Sequence, residues 1–152
     1  MSKGFLKKYL SEADLAGIAA KIGNVEKTTS GEIRVCIRHR RHWRERKMSL
    51  HEIAVHEFHR LKMHHTKERT GVLIMLLFNE RKFHIVADEG IHRKVEDGTW
   101  ERIAEGIAAH FKKGNFFQGI CDGLESVGGV LNRYFPREKG GENELPNEVD
   151  VS

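Results

Sequence analysis

The chain has 152 residues, of which 39% are hydrophobic and 32% charged, enough apolar material for one core and too much for a disordered chain. The longest apolar run, Gly71 to Phe78, falls well short of the ~20 residues of a membrane helix. No apolar stretch follows Met1-Ser2-Lys3-Gly4, so neither a membrane span nor a secretory signal is expected, and the expected location is the cytoplasm. Two cysteines, Cys36 and Cys121, are too few for a disulfide framework or a cysteine-based zinc module.

Ser11 reads as a helix N-cap, followed by Leu15, Ile18, Ile22 and Val25 at helical spacing. Thr28-Thr29-Ser30-Gly31 breaks that helix. Glu32 to Arg38 then alternates, with Ile33, Val35 and Ile37 on one side, which predicts a strand with one strongly apolar face. The stretch from Arg38 to Lys47 holds six Arg/Lys against one Glu. It reads as a solvated loop with Trp43 folded back on the domain, or as a phosphate-facing patch with Trp43 stacking on a base.

Ser49 and Glu52 form a capping box for a helix running to about Lys62, with Leu50, Ile53, Ala54, Phe58 and Leu61 on one face. Gly71 to Phe78 lacks polar alternation and predicts a central strand covered on both faces. After the turn at Asn79-Glu80-Arg81, the alternation of Phe83, Ile85 and Ala87 predicts a hairpin partner. Asp97-Gly98-Thr99 precedes a helix with Trp100, Ile103, Ile107 and Phe111 inward, and Gly114 stops it. Asn115 to Gln118 resembles a capping box opening a last helix, whose Gly119, Gly123, Gly128 and Gly129 suit close packing. Pro136 ends it.

The expected fold is a three-layer α/β/α sandwich around a small mixed sheet. The first two strands are parallel through a helical crossover, and the third returns antiparallel. Residues 1–136 form a single domain, and 137–152 form a polar tail anchored by Leu145, Val149 and Val151.

Several catalytic patterns are excluded. His51-Glu52 is followed by His56 rather than by a histidine at position 55, which is about 140° off around a helix and fails the helical zinc signature. Neither cysteine has the arginine spacing of a cysteine phosphatase. Phosphate-binding glycine loops and the nucleophile elbow are missing. The cysteines read as inert structural residues.

One constellation remains. Glu32 opens the first strand, Thr70-Gly71 the second, and Asp88-Glu89 closes the third. An antiparallel third strand brings its end beside the other two starts. Asp97 lies before the next helix, and Thr29 and Ser30 add oxygens. Carboxylates with loop oxygens suit a hard cation, calcium rather than zinc. The plainer reading is helix capping by Asp97 and salt bridging of Glu32 to Arg34 or Lys82.

At these residues the sequence resembles the TPM-domain family. The similarity lies in Thr29 to Val35, Thr70 to Ile74, Arg81 to Ile91, Phe111 to Gly114, Phe117 to Ile120, Phe135-Pro136 and Asn143 to Pro146. The resemblance implies an α/β/α sandwich, calcium as a cofactor and metal-dependent phosphatase activity. It carries the metal role to Glu32, Asp88 and Glu89, and more loosely to Asp97. Spacing identifies no nucleophile or base. The first expected function is therefore a TPM-type domain with a divalent-cation site and weak phosphatase activity. The alternative is a non-catalytic module in which Arg38, Arg40, Arg41, Trp43, Arg44, Arg46 and Lys47 bind nucleic acid or an acidic protein partner.

Overall fold

The computed structural model describes residues 4–137 and 147–152. Its elements are α1 (Glu12–Glu26), β1 (Glu32–Arg38), α2 (Leu50–Arg60), β2 (Gly71–Leu77), β3 (Lys82–Ala87), α3 (Glu89–His92), α4 (Thr99–Lys112), α5 (Phe116–Tyr134) and β4 (Asp150–Val151). Short 3-10 turns occupy Gly4–Lys8, Trp43–Glu45 and Phe78–Glu80.

Local chemistry sets the element starts. Ser11 accepts from the Asp14 N–H at 3.0 Å while Asp14 accepts from the Ser11 N–H at 2.9 Å. Ser49 and Glu52 close the same reciprocal box on α2. Such a cap stabilises a helix by about 1 kcal/mol. The two later starts differ from expectation. Asp97 does not cap α4, because Gly98 takes the cap position at φ 86. Asn115 makes no side-chain cap, and the Gln118 amide turns to Asp122 instead, at 2.7 Å.

β2 is the central strand. It runs parallel to β1, with Glu32 opposite Gly71, and antiparallel to β3, with Val72 opposite Ala87. The sheet order is β3-β2-β1-β4. Ile33, Val35, Ile37, Val72, Ile74 and Leu76 pack on one side against α1, α4 and α5. Cys36, Leu73 and Met75 pack on the other against Ile53, Ala54 and Phe58 of α2. Both faces are thus covered, and the structure is the expected α/β/α sandwich. β1 is buried on both sides rather than one, because α2 lies over its nominally polar face.

Within the expected polar tail, the described residues 147–152 include an element that the sequence reading did not contain. Asp150 and Val151 pair parallel with Cys36 and Ile37, and the Ser152 N–H donates to the Ile37 carbonyl at 2.8 Å. A two-residue strand carries too little periodicity to be read from sequence. Val149 and Val151 pack on the core as expected of anchors, while Leu145 lies outside the described residues.

Glycines set close approaches. A Cβ on Gly128 would lie 2.5 Å from Val25 of α1, and one on Gly123 2.6 Å from Ile107 of α4. Gly129 meets nothing within 4 Å and plays no such part. At Gly90 the crowding is with backbone: a Cβ would lie 2.2 Å from the Glu68 carbonyl and 2.6 Å from that of Arg69. Gly90→Ala is therefore expected to destabilise by about 1–3 kcal/mol. Gly106→Ala, where no atom lies within 4 Å inside α4, should instead stabilise by about 0.5–1 kcal/mol. Urea midpoints of the two variants check this opposition in sign.

Candidate functional site: the acidic sheet edge

The β2 register brings Glu32 and Asp88 to one edge. The Glu32 N–H donates to the Thr70 carbonyl at 3.0 Å, and the Asp88 N–H to the Gly71 carbonyl at 2.9 Å. The start of β2 thus lies between them. Strand alternation assigns both to the side of α2. Both are buried, Glu32 at 3% exposure and Asp88 at 6%.

Asp88 is already engaged. One oxygen accepts from the Glu89 N–H at 2.8 Å, capping α3, and the other from Arg69 Nε at 3.0 Å. Arg69 holds this pose with a left-handed backbone, φ 56. Glu89 and Asp97 are exposed at the surface. The structure thus places two of the four expected residues on one sheet edge, either side of the start of β2, and leaves the other two outward.

A residue that the sequence reading passed over completes the edge. Glu26, the last residue of α1, is 3% exposed and accepts from the Ile33 N–H at 2.8 Å through Oε2. Its Oε1 is buried without a hydrogen-bond partner. Burial, and then the charge of Glu32, push its carboxyl up to about 7, against the pull of the Ile33 N–H and Arg137. The clue was available: Glu26 stands four residues after Ile22, on the apolar stripe of α1.

Beside this edge opens a cleft of about 510 Å³. Ser30 and Thr70 supply hydroxyls to its wall, and Arg93, Lys94 and Arg137 supply cations. Carboxylates and an anion-suited cleft are therefore neighbours.

A second group is built differently. Among the described residues, Cys36, Glu57 and Asp150 bring three ligand-type atoms within 4.8 Å of one another, which Glu26, Glu32 and Asp88 do not. Arg60 already neutralises them, donating to Glu57 at 2.9 Å and to Asp150 at 2.7 Å. Burial, with Glu57 and Asp150 adding to it, pushes the Cys36 thiol up, so it stays protonated and donates to Glu57 at 3.1 Å. This suits the inert structural role expected of Cys36 and does not suit a metal.

The basic segment is not a loose loop. Arg38 is 1% exposed and grips Glu45 with two hydrogen bonds, at 2.9 and 2.5 Å. Arg41 is paired to Glu80, at 2.5 and 3.2 Å. These two expected phosphate contacts are spent inside the protein. Burial opposes the charge on Glu45, but hydrogen bonds from Arg38 and the His42 N–H hold its carboxyl at about 2. Trp43 is not folded back: it is 74% exposed, with the Arg46 guanidinium 4.4 Å from its ring centre. Arg40, Arg44, Arg46 and Lys47 are exposed.

The TPM domain family pattern matches residues 6–130. The chain belongs to the TPM domain family. Its fold is similar to that of the BA42 protein from the psychrophilic bacterium Bizionia argentinensis, at 37% identity and a TM-score of 0.85, covering 95% of this chain and 96% of that one. The N-terminal domain of a P. gingivalis protein shares the fold at 20% identity and a TM-score of 0.69, covering 84% and 79%. The N-terminal domain of the cg2496 protein from Corynebacterium glutamicum does so at 14% and 0.59, covering 80% and 74%. No curated protein matches the chain. No helix of this TPM domain, among the described residues, is long and apolar enough to cross a membrane.

The Glu26 proton gives the edge a pH signature. The carboxyl titrates near 7 when folded against 4.5 in an ordinary setting, so the folded state binds more protons between those values. The stability it contributes is complete below about 4.5 and is lost as pH rises through 7. Glu26→Gln is expected to match the parent protein near pH 4.5 and to exceed it by about 1–3 kcal/mol at pH 8. Urea unfolding at both pH values reads the difference, and equal stability at pH 8 contradicts the assignment.

Proposed function

We propose that this TPM domain binds a divalent cation, calcium first, at the acidic edge formed by Glu26, Glu32 and Asp88. The supporting observation is the pair of buried carboxyl groups Glu26 and Glu32: burial first, and the charge of Glu32 after it, raise the pKa of Glu26 to about 7. The fit to a hard cation rests on the all-oxygen donor set and on the buried Glu26 Oε1 that lacks a partner. Glu26 and Glu32 would hold the ion, and Asp88 would join them by exchanging Arg69 for it. A bound divalent ion supplies positive charge that polarises a phosphoryl oxygen or lowers the pKa of water.

The phosphatase part of the reading draws on the adjoining cleft. Arg93, Lys94 and Arg137 suit a phosphoester's oxygens, and the Ser30 and Thr70 hydroxyls can orient it. Asp88 positions the loop through Arg69 and α3 through its cap. Turnover is expected to be weak, since no activated nucleophile lines the cleft. A cytoplasmic setting goes with this reading, supported by the two unbridged thiols Cys36 and Cys121.

Calcium titration followed by amide shifts tests the proposal. Saturable shifts are expected around Glu26, Glu32 and Asp88 with a dissociation constant on the order of 10⁻³ M. They should be larger at pH 8 than at pH 5.5, where the Glu26 proton competes, and should be lost in Glu32→Gln. No shift at calcium concentrations well above that range, or an unchanged response in both Glu32→Gln and Asp88→Ala, overturns it.

The exposed Trp43 with its stacked Arg46 supports a second reading, an interaction surface for nucleic acid or an acidic protein. It is confined to Arg40, Trp43, Arg44, Arg46 and Lys47. A mobility shift with single-stranded nucleic acid is expected to weaken steeply with salt and to vanish when the four cations are neutralised. Retention of the shift after neutralisation discards this surface.

A further inference from the structure

Ten histidines are spread along the sequence, and two from distant elements meet. His51 lies in the first turn of α2 and His84 in the middle of β3. His51 Nδ1 and His84 Nε2 face one another at 2.9 Å, with the rings at 80° and their centres 5.1 Å apart. One nitrogen must donate and the other accept, so at least one imidazole is neutral. Burial first, and the neighbouring His51 second, lower the pKa of His84.

The surroundings form a site rather than a flat surface. β3 is an edge strand, so His84 stands at the rim of the sheet. A cleft of about 290 Å³ runs along it between the start of α2 and α4. Glu101, Ala104, Glu105 and Ala108 line its α4 wall. They recur at helical spacing, so one stripe of α4 carries two carboxylates along the cleft, facing Arg81, Lys82 and His84 at the β3 wall. The charge of Glu101 acts on His84 and opposes the lowering of its pKa.

Two imidazole nitrogens on one tetrahedral ion stand about 3.3 Å apart, only a few tenths of an ångström wider than the observed gap. A small outward rotation of His51, which is exposed, makes that room. Imidazole nitrogens with a carboxylate select borderline ions such as zinc, whereas calcium prefers oxygen alone. We propose that His51 and His84 are the protein donors of a zinc-class transition-metal site on the β3 rim, separate from the acidic edge, with Glu101 on the facing α4 wall adding negative charge. Its donors come from α2 and β3, so the bound ion ties the helix to the sheet edge.

Zinc chloride titrated into metal-free full-length protein at pH 7.5, by calorimetry and amide shifts, is the test. One equivalent is expected to bind on the order of 1 μM, with shifts centred on His51, His84 and Glu101. His84→Ala should weaken it at least about tenfold, and so should His51→Gln, an exposed position whose replacement leaves the fold intact. Loss of one equivalent in His51→Gln supports the site even where His59, His64 and His65 take up a second. No binding at 100-fold excess over that dissociation constant overturns the proposal. So does a single equivalent that survives His51→Gln and disappears in a His64→Ala, His65→Ala double variant. The calcium response should persist in His51→Gln, and the zinc response in Asp88→Ala, so the two sites stand or fall separately.

Discussion

The structure depends on the burial of β2. Its seven residues are all covered, with Val72, Ile74 and Leu76 turned to one core and Leu73 and Met75 to the other. A strand apolar on both faces has a low free energy only at the centre of a sheet with helices above and below. That requirement places β1 on one side and β3 on the other. Strand direction then follows from the connections, since a helical crossover gives a parallel neighbour and a short turn an antiparallel one. The start of β1 and the end of β3 consequently share an edge, and the acidic site is a by-product of how the core is built.

Buried charge is handled in two contrasting ways. Arg38 with Glu45, and Arg60 with Glu57 and Asp150, are closed ion-pair networks that satisfy each carboxylate with guanidinium donors. They fasten the basic segment and β4 to the sheet. Glu26 beside Glu32 is different, because burial first, and the like charge of Glu32 after it, favour the protonated carboxyl of Glu26. Compensated groups of the first kind are structural. A buried carboxyl whose charged form is disfavoured by its surroundings is the arrangement that a bound cation would relieve.

Membership of the TPM domain family and likeness to the BA42 protein describe the scaffold over nearly the whole chain. The histidine pair at His51 and His84 and the exposed Trp43 platform sit on surfaces away from the acidic edge. Function on such a scaffold is argued from each site's own chemistry.

Much of the fold was legible in the sequence because it rests on local signals. Capping boxes at Ser11 and Ser49 marked two helix starts, the unbroken run from Gly71 marked the central strand, and chain direction alone predicted that Glu32 and Asp88 would share an edge. Other features needed tertiary structure, because they are decided by partners far apart in the chain. Arg38 and Arg41 read as phosphate contacts until Glu45 and Glu80 neutralised them. β4 exists only because β1 offers it an edge. Asp88 alone looks like a ligand, and only the fold shows it holding Arg69 and capping α3. The sequence determined which side chains are apolar and where the chain must turn. Burial and long-range pairing decided which charges are neutralised by partners and which side chains reach the surface.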